Sequence, residues 1–372
     1  MSNKQRIVIA STLKPADDIR SFRKIGVSLG KTNNYEVKIL GAGGKVTSAY
    51  PNVTLMPYGK VSRLSIKRFF LPFHVLRKVL SIRPDLLIIE THELLIPACL
   101  YKILYPAAKV VYDVRENYAT NIRSQQIFYG PARYLLASWI RLKELISFNF
   151  LDLLFIAEKG YQSEYPALMK HPNIVLQNTS LLESSEFSKY NKQPKRFIFT
   201  GNLSVNSGVD KAINVFLRMA ANDSTLKLLI IGHSPSAKFL DKLKKRIQKE
   251  NRITLIGGDQ LVDHSVITDH LKKAHIGMVT YQLNDSNRNC MPTKVFEYLS
   301  IGLPIICEKN TGWYKLAHQY GMAFPSNQPY FNYQNLQDWY KNLSPNFNKQ
   351  SFSWQNDEKL LLEAVGKLLP KG

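Results

Sequence analysis

Short apolar, β-rich runs recur along the chain and alternate with segments of helical spacing. In the first half the runs are Arg6–Ser11 (RIVIAS), Tyr35–Leu40 (YEVKIL), Asp85–Glu90 (DLLIIE), Lys109–Tyr112 (KVVY), Leu153–Ala157 (LLFIA) and Ile174–Gln177. A loop with Asp17 and Asp18 and a helical pattern through Leu29 separate the first two runs. Strand, helix, strand at this spacing is a βαβ unit and predicts a parallel sheet. Gly41, Gly43 and Gly44 read as a turn after the second strand. The second half repeats the rhythm, with strands at Arg196–Thr200, Lys227–Ile231, Ile253–Ile256 and Ile276–Tyr281 and helices at Val209–Ala221, Ala237–Glu250 and 263–274. Residues 179–195 lose periodicity and gain Ser, Lys and Pro, which marks a boundary. The expected organisation is a domain over 1–180, a linker over 181–195, a second domain over 196–352, and an amphipathic helix over 353–372.

In open α/β sheets, ligands sit outside the carboxyl ends of the strands. Two polar clusters fall there: Thr91, His92 and Glu93 after one run, and Asp113, Arg115 and Glu116 after another. Such residues also cap helices, so His92 alone reads more simply as a cap. The richest stretch is Asn289–Ile306, NCMPTKVFEYLSIGLPII. Pro292 suits a helix start, Gly302 a helix end, and Pro304 opens a buried strand. Lys294, Glu297 and Tyr298 share one helix face. A helix start with a lysine beside it suits a phosphate, and a carboxylate one turn on can accept from sugar or ribose hydroxyls. The bland alternative is a surface helix with a solvated Lys/Glu pair.

This stretch resembles the donor-site segment of GT-B glycosyltransferases of the family-4-like group, which often reads P-x-K-x-x-E-Y-x-x-x-G-x-P-I. The resemblance implies an α/β chain of GT-B architecture, with two Rossmann-like doubly wound domains facing across a cleft. It also implies a nucleotide-sugar donor on the C-terminal domain, a glycan or lipid-linked acceptor on the N-terminal one, and a closing helix over 353–372 that returns towards the N-terminal domain. Carried over by position, Gly201, Asn202, Ser207, Gly232, Gly257, Thr293, Lys294, Glu297 and Tyr298 would bind the donor. Asp17, His92, Glu93 and Arg115 would face the acceptor. Lys294, Glu297, Asp113 and Glu116 would carry the chemistry. The segment YDVRENY resembles the family's YDxHE, with Arg115 in the histidine's place. In GNLSVNSGVDKAI, similar to the family's phosphate loop, Asn202 and Ser207 stand where an arginine and a lysine are usual. Asn289 replaces the first of the family's paired glutamates. The family suggests retention of anomeric configuration; Asp113 or Glu116 as base on an inverting path stays open.

The net charge of +22 favours anionic partners, and residues 1–180 hold 25 Lys/Arg against 12 Asp/Glu. Residues 60–83 and Arg123–Lys143 interleave cations with aromatics, including Phe128, Tyr129, Tyr134 and Trp139. In the first stretch Ile66, Phe69, Phe70, Phe73, Leu76, Val79 and Leu80 follow helical spacing. Both stretches read either as helices covering a sheet or as helices on an anionic membrane surface. No run reaches the roughly 20 apolar residues of a membrane span. Three cysteines, Cys99, Cys290 and Cys307, argue for a reducing compartment, and the expected location is cytoplasmic, peripheral on the inner membrane face in the second reading. No D-x-D triplet or His/Cys spacing calls for a metal, no G-x-G-x-x-G or P-loop for a nucleotide cofactor, and no motif for nucleic acid. The expected function is metal-independent sugar transfer in cell-surface polysaccharide synthesis. Its rivals are a lapsed sugar-binding or membrane-surface subunit and a sugar-nucleotide epimerase of the same architecture.

Overall fold

The computed structural model describes residues 4–44, 46–59, 65, 67–124, 130–182, 193–221, 223–284, 287, 289–327, 331–343 and 348–370. The chain forms two compact units, Met1–Asn178 with Trp354–Gly372, and Thr179–Ser353. Ile66, Phe128, Tyr129, the Lys67 side chain and most of the expected linker lie outside the described residues.

The first unit is built on strands β1 (Gln5–Ala10), β2 (Tyr35–Ala42), β3 (Val53–Tyr58), β4 (Leu86–Ile89), β5 (Lys109–Val114), β6 (Leu153–Ile156) and β7 (Asn173–Val175). They form one parallel sheet in the order β3-β2-β1-β4-β5-β6-β7. The second unit has β8 (Arg196–Asn202), β9 (Lys227–His233), β10 (Ile253–Gly258), β11 (Ile276–Val279), β12 (Ile305–Cys307) and β13 (Ala323–Pro325). Its sheet is also parallel, in the order β10-β9-β8-β11-β12-β13. Helices cover both faces of such sheets, so the strands are apolar throughout rather than alternating. Every residue of β4, β6 and β11 is buried. In each sheet the strand order reverses beside the first strand, between β1 and β4 and between β8 and β11, where a crevice opens at the carboxyl ends.

Several elements are silent in the sequence pattern. β3 carries Pro57, which an edge strand tolerates. The helix Leu95–Leu104 is apolar almost all round and has no polar stripe to betray its period. β13 is three residues long, and the helices Gly312–His318 and Tyr333–Lys341 are short. Two boundaries need correction. β5 runs on to Val114, so Asp113 lies inside the strand rather than past its end. Gly41 belongs to β2, where a Cβ would come within 2.2 Å of the Ala16 nitrogen, so the 15–16 loop lies directly on the strand.

After β1 the chain enters a π-helical stretch, Ile19–Gly26, that continues as the α-helix Val27–Lys31. Asp18 caps it, accepting from the backbone N–H groups of Arg20 and Ser21. The helix Trp354–Leu368 packs on this element in the first unit. Trp354 Nε1 donates to Ser28 Oγ at 3.0 Å, and Leu361 and Val365 join the core with Ile25 and Leu29.

Candidate active site

Two polar clusters form at the two switch points, one in each unit. In the second unit, β8 ends in Thr200, Gly201 and Asn202, and the helix Thr293–Ser300 follows β11 through a loop. Pro292 is the N-cap and has no side-chain oxygen to offer the first turn. Lys294, in that turn, is 6% exposed, and its Nζ has no hydrogen-bond partner among the described residues. The ammonium lies 3.9 Å from the Phe199 ring centroid and 4.9 Å from that of Tyr281. Burial pushes its pKa down to about 7, with Glu297 pulling the other way. Two aromatic faces stabilise a cation but satisfy none of its three donors.

Gly201 adopts φ +105°, a conformation suited to glycine, and its open side faces the Lys294 ammonium. Gly232 serves a different end. A Cβ there would stand 1.7 Å from the Gly201 carbonyl oxygen, so this glycine lets two strand ends approach each other, not a ligand. Gly257 likewise faces the Gly232 carbonyl. Asn202 is exposed at the end of β8, and Thr293 is half-buried at the helix start. Ser207 is committed to a turn: it accepts from the Ser204 N–H at 3.0 Å and donates to the Ser204 carbonyl at 2.8 Å. Tyr298 is fully buried, accepting from the Thr200 N–H at 3.1 Å and sharing a 2.9 Å hydrogen bond with Thr200 Oγ1. Ser207 and Tyr298 therefore shape the site from behind rather than contact a ligand. Glu297 remains partly accessible, with His264 Nε2 3.4 Å from its Oε1.

In the first unit, the ends of β1, β4 and β5 carry a buried charge network. Arg20 Nε and Nη2 donate to the two Asp113 oxygens, both at 2.7 Å, and its Nη1 donates to the Leu176 carbonyl. Both partners are buried, so Asp113 anchors the interior and is not presented to a substrate. Arg115 pairs with Asp18 at 2.8 Å and with Glu90 at 3.2 Å. Burial pushes Glu90 up to about 7 against the pull of Arg115, and Ser21 Oγ donates to it at 2.6 Å. Asp18 stays below the usual carboxylate range: burial opposes this, and Arg115 with the Ser21 N–H overcomes it.

The remaining first-unit candidates surround this network. Glu93 accepts from Thr12 Oγ1 and from Arg68, whose Nη2 lies at 2.6 Å. His92 sits edge-on to Tyr118 with Lys143 Nζ 3.2 Å from its Nδ1. Burial and Lys143 lower His92 to about 4, so it is neutral near pH 7 and Nδ1 accepts. Glu116 pairs with Lys14 at 3.3 Å and takes a bond from Asn121, remaining the more accessible carboxylate. Asp17 lies apart, beside Gly44. The sequence reading missed Arg20, Glu90, Thr12, Arg68 and Lys143 here, and Phe199, Tyr281 and His264 in the second unit. A signal existed for Glu90, an acid ending a wholly apolar run, and for Arg20 with Lys24, cations one turn apart on the helix's inner face. The others come from segments distant in sequence and leave no local trace.

Two parallel, doubly wound units with this topology define a GT-B-type α/β chain. Residues 194–337, which span all six strands of the second sheet and the lysine site, match the family model "Glycosyl transferases group 1". A curated relative, the phosphatidylinositol N-acetylglucosaminyltransferase gpi3 subunit of Schizosaccharomyces pombe, is 26% identical over 125 residues, 34% of this chain. The match spans about a quarter of that relative's length (26%). Among solved structures, sucrose-phosphate synthase from Thermosynechococcus elongatus superposes with a TM-score of 0.70 at 12% identity, covering 98% of this chain and 99% of that one. Anabaena HepE, solved in complex with UDP, gives 0.65 at 12% identity, with 98% and 100% covered. At these identities the likeness is one of fold.

Proposed function

We propose that this protein transfers a sugar from a nucleotide-sugar donor to a hydroxyl of a glycan or lipid-linked acceptor, in the synthesis of a cell-surface polysaccharide. The observation that carries the reading is Lys294, a buried amine with no hydrogen-bond partner among the described residues, at the start of a helix and beside Gly201. Leaving a buried donor unsatisfied costs about 1–3 kcal/mol, and a diphosphate at the helix start removes that cost. In this reading the Lys294 ammonium and the helix N-terminus stabilise charge developing on the departing nucleoside diphosphate. Glu297, steadied by His264, accepts from the ribose hydroxyls. The bond from the anomeric carbon to the diphosphate breaks as the acceptor oxygen bonds to that carbon. The acceptor proton passes to the leaving phosphate, on the face that retains configuration, without a metal. In the first unit Glu116 and Glu93 are the accessible carboxylates for acceptor hydroxyls.

One observation favours a second reading, binding without transfer: Asn202 and the turn-locked Ser207 leave Lys294 as the sole cation among the residues assigned to the diphosphate. Calorimetry with UDP, GDP and their sugars, followed by a hydrolysis and transfer assay, separates the two. The expected result is binding of one nucleotide, weakened about tenfold or more in Lys294→Ala, with turnover. Binding without turnover favours the second reading, and no binding at millimolar nucleotide overturns both.

A further inference from the structure

We propose that the outer face of three neighbouring helices in the first unit docks on an anionic lipid bilayer. Lys67–Ile82, Leu95–Leu104 and Gly130–Ser147 follow β3, β4 and β5 and lie side by side on one face of the sheet. Each is apolar on two sides. Inward, Val75 and Val79, Leu95 and Ala98, and Ala137 and Ile140 are buried. Outward, Phe69, Phe70 and Phe73 are 75%, 62% and 51% exposed. On the second helix Ile96, Leu100 and Ile103 form an exposed stripe, and on the third Leu135, Trp139, Leu142 and Ile146 do the same. Among the described residues, thirteen of the twenty-one exposed large apolar side chains lie on these three helices. A helix that is apolar all round belongs in a covered position, and exposed patches of this extent mark interaction surfaces.

Charge selects the occupant. The three helices contain one acidic residue, Glu144, which is buried and paired with Arg141 at 2.9 Å. Arg77 and Lys78 are exposed and no acid of the described residues pairs with them, and Arg133 lies over the Tyr134 ring. A second copy meeting this face by two-fold symmetry would bring like charge against like charge. Cations around a Phe, Trp and Leu surface instead match an interfacial element, which buries its apolar side about 5–10 Å into the headgroup boundary and gains from anionic lipid. No described helix is long and apolar enough to cross the bilayer. The proposal fits a lipid-linked acceptor but stands on the surface alone, and its test uses no donor.

The test is flotation of the full chain with vesicles of phosphatidylcholine, with and without phosphatidylglycerol, together with tryptophan emission. Trp313 and Trp354 are buried and Trp339 half-buried, so a blue shift reports chiefly on Trp139. The wild type should float with anionic vesicles, shift to the blue, and bind neutral vesicles about tenfold or more weakly. The triple variant Phe70→Ser, Leu100→Ser, Trp139→Ser should lose flotation while keeping the wild-type melting temperature. Arg77→Glu with Lys78→Glu should abolish the preference for anionic lipid. A wild type that stays soluble overturns the proposal, as does a triple variant that floats unchanged. A wild-type dimer that the triple variant dissociates, without vesicle binding, assigns the face to a second copy instead.

Discussion

The Lys294 ammonium rests 3.9 Å from the centre of the Phe199 ring, with no hydrogen-bond acceptor in reach among the described residues. Its pKa, pushed by burial down to about 7, makes it a base in the folded state and an acid in the unfolded one between pH 7 and 10.5. Through that window the unfolded chain binds more protons, so this group makes stability rise with pH, and its burial is most costly below pH 7. Lys294→Met should therefore raise the melting temperature, most at pH 6 and least near pH 10. The gain at the acid end is on the order of 2 kcal/mol or more. The same variant should lose nucleotide binding. In the wild type, binding at pH 8 should take up close to one proton, visible as a dependence of calorimetric heat on the buffer. Heat independent of buffer ionisation would show that the amine stays neutral beside the ligand.

Asp113 gives the opposite result. Both its oxygens are held by Arg20 in a buried, bidentate pair. Removing one partner of such a pair costs about 3–5 kcal/mol because the other charge is left uncompensated. Asp113→Ala and Arg20→Ala should each lower denaturant stability by that much, and any activity they lose should track the folded fraction. A folded, stable Asp113→Asn enzyme with kcat reduced a thousandfold would instead make Asp113 the base.

Tyr298→Phe tests the assignment of this tyrosine to the framework. It removes the acceptor of the Thr200 N–H in a fully buried site, which should cost about 1–3 kcal/mol in stability. Nucleotide affinity should stay within about twofold, because the hydroxyl points at β8 and not at the open side of Gly201. A large loss of affinity with little loss of stability would return Tyr298 to the ligand.

The alternation of apolar runs with helical spacing was enough to read two parallel α/β units, because buried parallel strands are apolar along their whole length. Lys294 and Glu297 were legible for a local reason: the proline, the lysine and the glutamate sit within one helix turn and a half. The partners that set their chemistry were not. Phe199 and Tyr281 come from the ends of other strands, and His264 from another helix. In the first unit the pattern correctly put polar residues near strand ends but not their roles. Asp113 reads as solvent-facing until β5 is extended by two residues, which turns it into the core beside Arg20. Tyr298 and Ser207 fit the motif's spacing yet are held by Thr200 and Ser204, a distinction that only the fold makes.

The helix Trp354–Leu368 completes the first unit's core with Trp354, Leu361 and Val365, although more than 170 residues separate it from Asn178. Synthesis therefore delivers the last piece of the first unit after the whole second unit has left the ribosome. Until then Ser28, Ile25 and Leu29 lack their cover, and the nascent first unit presents an apolar cleft to the cell. Maturation runs in reverse of chain order: the second unit is complete in sequence first, and the first is sealed only once Trp354–Leu368 has followed it, a delay during which chaperone binding is expected.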